Sequence, residues 1–226
     1  MLTLHYAPDN ASLIVRLALL ELGVPFTTTL VDRRARQHKS AAYRALNPAG
    51  LIPVLETPEG PVSETAAVLL WLVDRYGALG PQVGEAGRGA FLKWLFFTSN
   101  TLHADLRMVF YPGQYAPGAE AALHAGVTAR LQQHYALLDA LCGTVPWFGG
   151  AQPSVLDFYV AATLRWAALY APGGAWFSLA DCPNLRAMLA RLETRTSVAT
   201  ASTAEGLGPH PFTNPQPCTP PEGSPH

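Results

Sequence analysis

Apolar and polar positions alternate at the start of the chain and then give way to helical spacing. Leu2, Leu4 and Tyr6 alternate with Thr3 and His5, which predicts a short strand that breaks at Ala7-Pro8. Asp9, Asn10 and Ser12 are residue types that cap helices. Leu13, Ile14, Leu17 and Leu20 then follow at helical spacing until Gly23 stops them. Val24 to Val31 is rich in β-branched residues and alternating, and predicts a second strand. Strand, helix and strand in this order imply a right-handed crossover with the two strands parallel. A polar, arginine-bearing loop from Asp32 to Ser40 and a short helix from Ala41 to Leu46 complete the approach to the next stretch.

That stretch, Asn47 to Leu72, combines a turn, an unusual proline, a hairpin and a helix start. Asn47-Pro48-Ala49-Gly50 has turn chemistry, with Pro48 fixing φ and Gly50 free to take positive φ. Leu51, Ile52, Val54 and Leu55 read as a strand, yet Pro53 sits within the run and has no N–H for a ladder. The strand is therefore an edge, or the backbone is unusual there, as with a cis Ile52-Pro53 bond. Pro58-Glu59-Gly60 is a hairpin turn, Pro61-Val62 returns, and Ser63-Glu64-Thr65 opens a helix with Val68, Leu69, Leu72 and Val73 on its apolar face. The order to this point is βαβαββα. Free amides and the dipole make the start of that last helix a site for an anion, to which the Thr65 hydroxyl adds a donor. Ser63 as a plain cap, with Glu64 complementing the dipole, is the simpler alternative.

Glycines 77, 80, 84, 87 and 89 interrupt the pattern, and everything after them reads as helix. The expected organisation is a first domain over residues 1–77, a linker over 78–87, an all-helical domain over 88–205 and a proline-rich tail over 206–226. Arg88 to Tyr111 is long, aromatic and apolar on nearly all sides, and predicts one central helix ended by Pro112. Ala119 to Leu141 and Val155 to Tyr170 are further helices. Ser154 and Asp157 have capping-box spacing at the start of the latter, with Pro153 and Phe158 at the staple positions. Pro183-Asn184-Leu185-Arg186 opens one more. Beyond Gly206 the chain lacks apolar periodicity and is read as lying outside the fold.

Composition narrows the function classes. At 226 residues, 49% hydrophobic and 14% charged, the chain is apolar enough to bury a core in each of two domains. The net charge of −1, with Lys39 and Lys93 as the sole lysines and no basic block, gives no reason to expect nucleic acid or anionic lipid as a partner. No charged leader and no apolar run of membrane-spanning length is read, so a cytoplasmic protein is expected. Cys142, Cys182 and Cys218 are scattered and odd in number, which argues against a disulfide framework or a zinc site.

Two stretches carry a resemblance. Turn, X-Pro strand, glycine hairpin and Ser-Glu-Thr helix start resemble the glutathione-binding half of the thioredoxin-like domain of cytosolic glutathione transferases. F-G-G-x-x-P-S-x-x-D-F, from Phe148 to Phe158, resembles the capping box of their helical domain. The resemblance extends over residues 1 to about 200 and is nearest to bacterial beta-class members, on Ala7-Pro8 and the following Ser-Leu, although Ala11 stands where those enzymes have cysteine. It implies an α/β thioredoxin-like N-terminal domain plus an all-α C-terminal domain, a homodimer, and glutathione as co-substrate with no metal. The cis-Pro53 bond and the backbone of Ile52 would pair with the cysteinyl part of glutathione, and Glu64 and Thr65 would hold its γ-glutamyl end. Leu51 replaces the Lys or Gln that many members use for the glycyl carboxylate.

The implied chemistry is activation of the glutathione thiol to a thiolate that attacks a small hydrophobic electrophile, a detoxifying reaction. Ser12, Asn10 and Tyr6, with the amides of the first helix, are the donors expected to stabilise that thiolate. Capping for Ser12 and Asn10, and core packing for Tyr6, are the structural alternatives. His103 resembles a histidine that beta-class enzymes place near the thiol, and otherwise would be a core-edge histidine bonded to a carbonyl. Trp94, Phe97, Arg107, Tyr111 and Tyr115 are candidates for the lining of the electrophile pocket, an aromatic stripe at helical spacing being more usually core. A glutathione-dependent disulfide reductase or peroxidase, or a non-catalytic member of the fold, are the alternative readings.

Overall fold

A computed structural model describes residues 1–170 and 176–225. In the first domain β1 (Leu2–Tyr6), α1 (Ser12–Leu22), β2 (Phe26–Leu30), α2 (Ala41–Leu46), β3 (Val54–Thr57), β4 (Gly60–Ser63) and α3 (Thr65–Tyr76) follow one another in the expected thioredoxin-like order. The sheet runs β2-β1-β3-β4, with β1 and β2 parallel and the other two pairs antiparallel. Pro53 lies just before Val54, the first residue of β3, so its missing N–H removes nothing from the ladder. The Ile52-Pro53 bond is cis. Ser12 to Leu19 are buried without a break. An amphipathic stripe does not suffice for α1, because it packs against α3 and also against two helices of the second domain.

The second domain contains α4 (Arg88–Phe97), α5 (Ala104–Phe110), α6 (Pro112–Tyr115), α7 (Glu120–Leu141), α8 (Val155–Leu169), α9 (Pro183–Glu193) and α10 (Thr196–Glu205). At the centre is α8, buried at every residue from Val155 to Ala167. Its start is fixed locally. The Asp157 carboxylate accepts the Ser154 N–H at 2.8 Å and the Gly149 N–H at 2.7 Å, so the capping box also pins the preceding connection. None of the described helices is long and apolar enough to cross a membrane.

Two expectations are corrected here. The single helix over 88–111 is interrupted by a π-helical segment, Thr98–His103, between α4 and α5. Apolar periodicity cannot register one extra residue per turn, and such segments often mark functional sites. The proline-rich segment after Gly206 is also not outside the fold, although His226 lies outside the described residues. Leu207 and Phe212 are each 2% exposed. Arg165 donates to the carbonyls of Pro211 and Gln216, both at 2.9 Å, and Glu193 accepts the N–H groups of Phe212 and Thr213, both at 2.8 Å. Low apolar content suggested disorder, but buried charged side chains hold this backbone and supply what side-chain hydrophobicity does not. The return begins at Gly206. Its φ is +64°, its carbonyl accepts the Thr219 N–H at 2.9 Å, and a Cβ there would stand 2.0 Å from the Thr219 oxygen.

Asp9 and Arg165 are both fully buried in their side chains and form a bidentate pair, Nε to Oδ1 at 2.9 Å and Nη2 to Oδ2 at 2.8 Å. Arg165→Met leaves the carboxylate without its counter-charge and should lower unfolding free energy by about 3–5 kcal/mol. Adding Asp9→Asn should recover a large part of that loss, as read from the urea midpoint at constant slope. An additive double mutant would show that the two groups do not act as a pair.

Candidate functional site

A cleft of about 370 Å³ opens where the first domain meets α5 and α8, and most of the expected site residues converge on it. Ile52, Pro53, Glu64 and Thr65 form one wall. Glu64 stands at the N-cap of α3 with φ at +69°, an uncommon backbone for a residue with a side chain, and its carboxylate caps no amide of that helix. Ser63, the other candidate cap, ends β4 instead, and no side chain caps α3.

Thr65 is buried, and α8 brings Tyr159 to the same cleft. The Tyr159 hydroxyl lies 2.9 Å from Nδ1 of His103. Ser99 and His103 reach the cleft from the π-helical segment. Burial, with a smaller contribution from the Arg107 charge, pushes the His103 imidazolium down to about 4. The same burial raises the Tyr159 hydroxyl above its ordinary value. His103 is thus a neutral imidazole bonded to a tyrosine, not to a backbone carbonyl.

The amino end of α1 also lines the cleft, through Asp9, Asn10 and Ala11. Of the three expected thiolate donors, Asn10 alone is there. Ser12 is fully buried, its hydroxyl donating to the Ala7 carbonyl at 3.0 Å and accepting the Ala7 N–H at 3.2 Å, so it closes the turn behind the helix. Tyr6 is 3% exposed, lies under the Arg16 guanidinium and donates to Glu222 at 2.5 Å. Neither side chain lines the cleft. Burial and the Glu222 carboxylate push the Tyr6 hydroxyl further from ionisation.

Phe110, Tyr111, Trp166 and Tyr170 give the remainder an aromatic lining, with Arg107 at the edge. Of the aromatic residues expected there, Tyr111 is on the wall. Trp94 and Phe97 pack against each other, with Phe97 also against His134, and Tyr115 accepts a hydrogen bond from Arg107 at 2.9 Å. Sequence reasoning missed Tyr159, Trp166 and Tyr170, which lie on a helix apolar all round and so show no polar face to single them out. No cysteine is on the cleft wall. Burial raises Cys142 to about 12, and Cys182 and Cys218 to about 11.

Residues 11–75 match the glutathione S-transferase N-terminal domain family, and residues 121–191 match its C-terminal domain family. Glutathione S-transferase GST-4.5 of Xanthomonas campestris is 30% identical over 210 residues, 90% of this chain and 98% of its own length. Among solved structures, a sphingomonad glutathione S-transferase complexed with glutathione has a TM-score of 0.74 at 29% identity, over 91% of this chain and 100% of that one. The beta-class glutathione S-transferase of Sphingomonas chungbukensis has a TM-score of 0.73 at 27% identity, over 90% and 98% of the two chains.

The His103 environment has a pH signature. Folded His103 takes a proton near 4, against an ordinary value of 6.5, so between these values the unfolded chain binds more protons. The contribution of His103 to stability therefore rises with pH across that window and is complete above it. NMR of the imidazole should show a neutral ring down to about pH 5. A midpoint near 6.5 would mean that the ring is solvated and the arrangement with Tyr159 does not hold.

Proposed function

This chain belongs to the glutathione S-transferase family, and we propose that its cleft binds glutathione, favours the thiolate and presents it to a small hydrophobic electrophile. One observation carries this reading: Ile52-Pro53, Glu64-Thr65 and the amino end of α1 face a single cleft whose other half is aromatic. The backbone at Ile52 takes the cysteinyl part. The Glu64 carboxylate takes the γ-glutamyl ammonium, and the Thr65 hydroxyl with the first amides of α3 takes the γ-glutamyl carboxylate. The thiol then lies towards α1.

The reacting sulfur is that of glutathione, because Ala11 has no thiol and none of the chain's own cysteines lines the cleft. Asn10 and the free amides at the start of α1 supply donors. With the Tyr159 hydroxyl donating to Nδ1, neutral His103 keeps its proton on Nε2 and donates it as a hydrogen bond. The thiol releases its proton to solvent, the sulfur lone pair forms the bond to carbon, and the leaving group departs with its bonding electrons. We assign Ser12 and Tyr6 to the scaffold. Family membership further supports a homodimer acting in the cytoplasm in detoxification.

Glu64→Ala should weaken glutathione binding by about 1.5–3 kcal/mol, the loss expected for a charged hydrogen bond, as measured by calorimetry. An unchanged dissociation constant would remove Glu64 from the site. The ultraviolet absorbance of bound thiolate against pH tests the activation step. Asn10→Ala and His103→Ala should move the titration upwards, each pH unit being about 1.4 kcal/mol of preference for thiolate, while Ser12→Ala and Tyr6→Phe leave it in place. If none of the four moves it, the helix amides act alone. A panel of electrophiles, disulfides and hydroperoxides decides between transfer and reduction, and a chain that binds no glutathione would be a non-catalytic member of the fold.

A further inference from the structure

The aromatic half of the cleft has a wall that the family resemblance does not supply. After its return at Gly206 the proline-rich segment continues past α8 and back to the first domain. Glu222 accepts the Tyr6 hydroxyl, and Gly223 packs so closely on β2 that a Cβ there would stand 2.6 Å from Leu30. Ser224 is buried. Pro225 then lines the cleft itself. Its carbonyl accepts a hydrogen bond from Nη1 of Arg33, which projects from the loop after β2, and Nη2 of the same guanidinium donates to the Tyr111 hydroxyl at 3.2 Å. Arg33 thus joins three parts of the molecule: the first domain, the end of α5 and the end of the described chain.

We propose that Pro225, seated by Arg33, sets the size of electrophile the cleft accepts. This rests on the glutathione reading for the class of substrate, though not for the existence of the wall. Three observations support it. About 370 Å³ is near the lower end of the volumes that hold one small molecule, yet glutathione and its partner must share it, so a wall residue at the aromatic end limits size. Proline presents an apolar ring and no N–H, which suits a surface shared with Phe110, Tyr111 and Trp166. The contacts holding the segment, at Tyr6, Pro8, Leu30 and Arg33, involve none of Glu64, Thr65 or Pro53, so the wall can change without altering those residues. The substrates selected are compact, single-ring or short-chain electrophiles.

The test uses a wall removed and a wall thickened. A chain stopped after Cys218 keeps the Arg165 contacts to Pro211 and Gln216 and loses Pro225, whereas Pro225→Trp retains the segment and fills the cleft. Calorimetry measures S-methylglutathione, which probes the glutathione half, and S-diphenylmethylglutathione, which also needs the aromatic half. Relative to the parent, the preference for the bulky conjugate should rise by about tenfold on truncation and fall by a similar factor in Pro225→Trp, with S-methylglutathione affinity unchanged. A preference within about twofold of the parent in both proteins overturns the proposal. Should truncation prevent folding, Pro225→Trp alone decides. An anilinonaphthalene sulfonate titration without glutathione separates the two readings. If the parent binds neither conjugate but dye affinity shifts in opposite directions in the two variants, the glutathione reading fails and the wall stands. If the dye does not respond either, both fail.

Discussion

A carboxylate buried at the start of α1 holds the molecule together. Asp9 accepts both branches of Arg165, the Trp166 indole N–H at 2.9 Å and the Tyr170 hydroxyl. Its own N–H goes to Glu205 at 2.8 Å, and the other Glu205 oxygen pairs with Arg16 at 2.7 Å. Two acids and two arginines from α1, α8, α10 and the connection after β1 thus neutralise one another out of water. Burial, opposed by the Arg16 charge, still raises the Glu205 carboxyl to about 7. Such a cluster adds little net stability over an apolar one, but it tolerates no loss of a single member, and it accepts one arrangement of the two domains. That arrangement is what gives the cleft two walls.

What was legible in the sequence follows from where burial is one-sided. The βαβαββα order came through because strands and helices of the first domain have distinct alternations, and the capping box because its four residues signal locally through Ser154 and Asp157. The unreadable parts have long-range causes. Asp9 looked like a cap, and its true partner is 156 positions away. Ser12 and Tyr6 looked like donors to a ligand, whereas one serves Ala7 and the other serves Glu222, 216 positions away. Proline-rich sequence looked unstructured because composition counts apolar side chains and does not see buried arginines and glutamates that bind backbone.

Polar groups from three helical elements meet in the cleft, set among aromatic side chains. Thr65 on α3, Ser99 and His103 on the π-helical segment and Tyr159 on α8 all line it, and the Tyr159 hydroxyl is hydrogen-bonded to His103. The His103–Tyr159 pair is stiff because both members lie within helical segments. Neutrality of His103 is set by burial more than by any nearby charge. The site is thereby built to donate hydrogen bonds rather than to exchange protons near neutral pH.

The path of the proline-rich segment has a practical consequence for anyone handling the protein. Because Arg33 moors Pro225 on the cleft wall, an addition at that end of the chain starts from the site itself. A purification handle attached there would load the segment that forms the cleft wall, whereas one placed before Met1, itself 90% exposed, would extend into solvent from the start of β1.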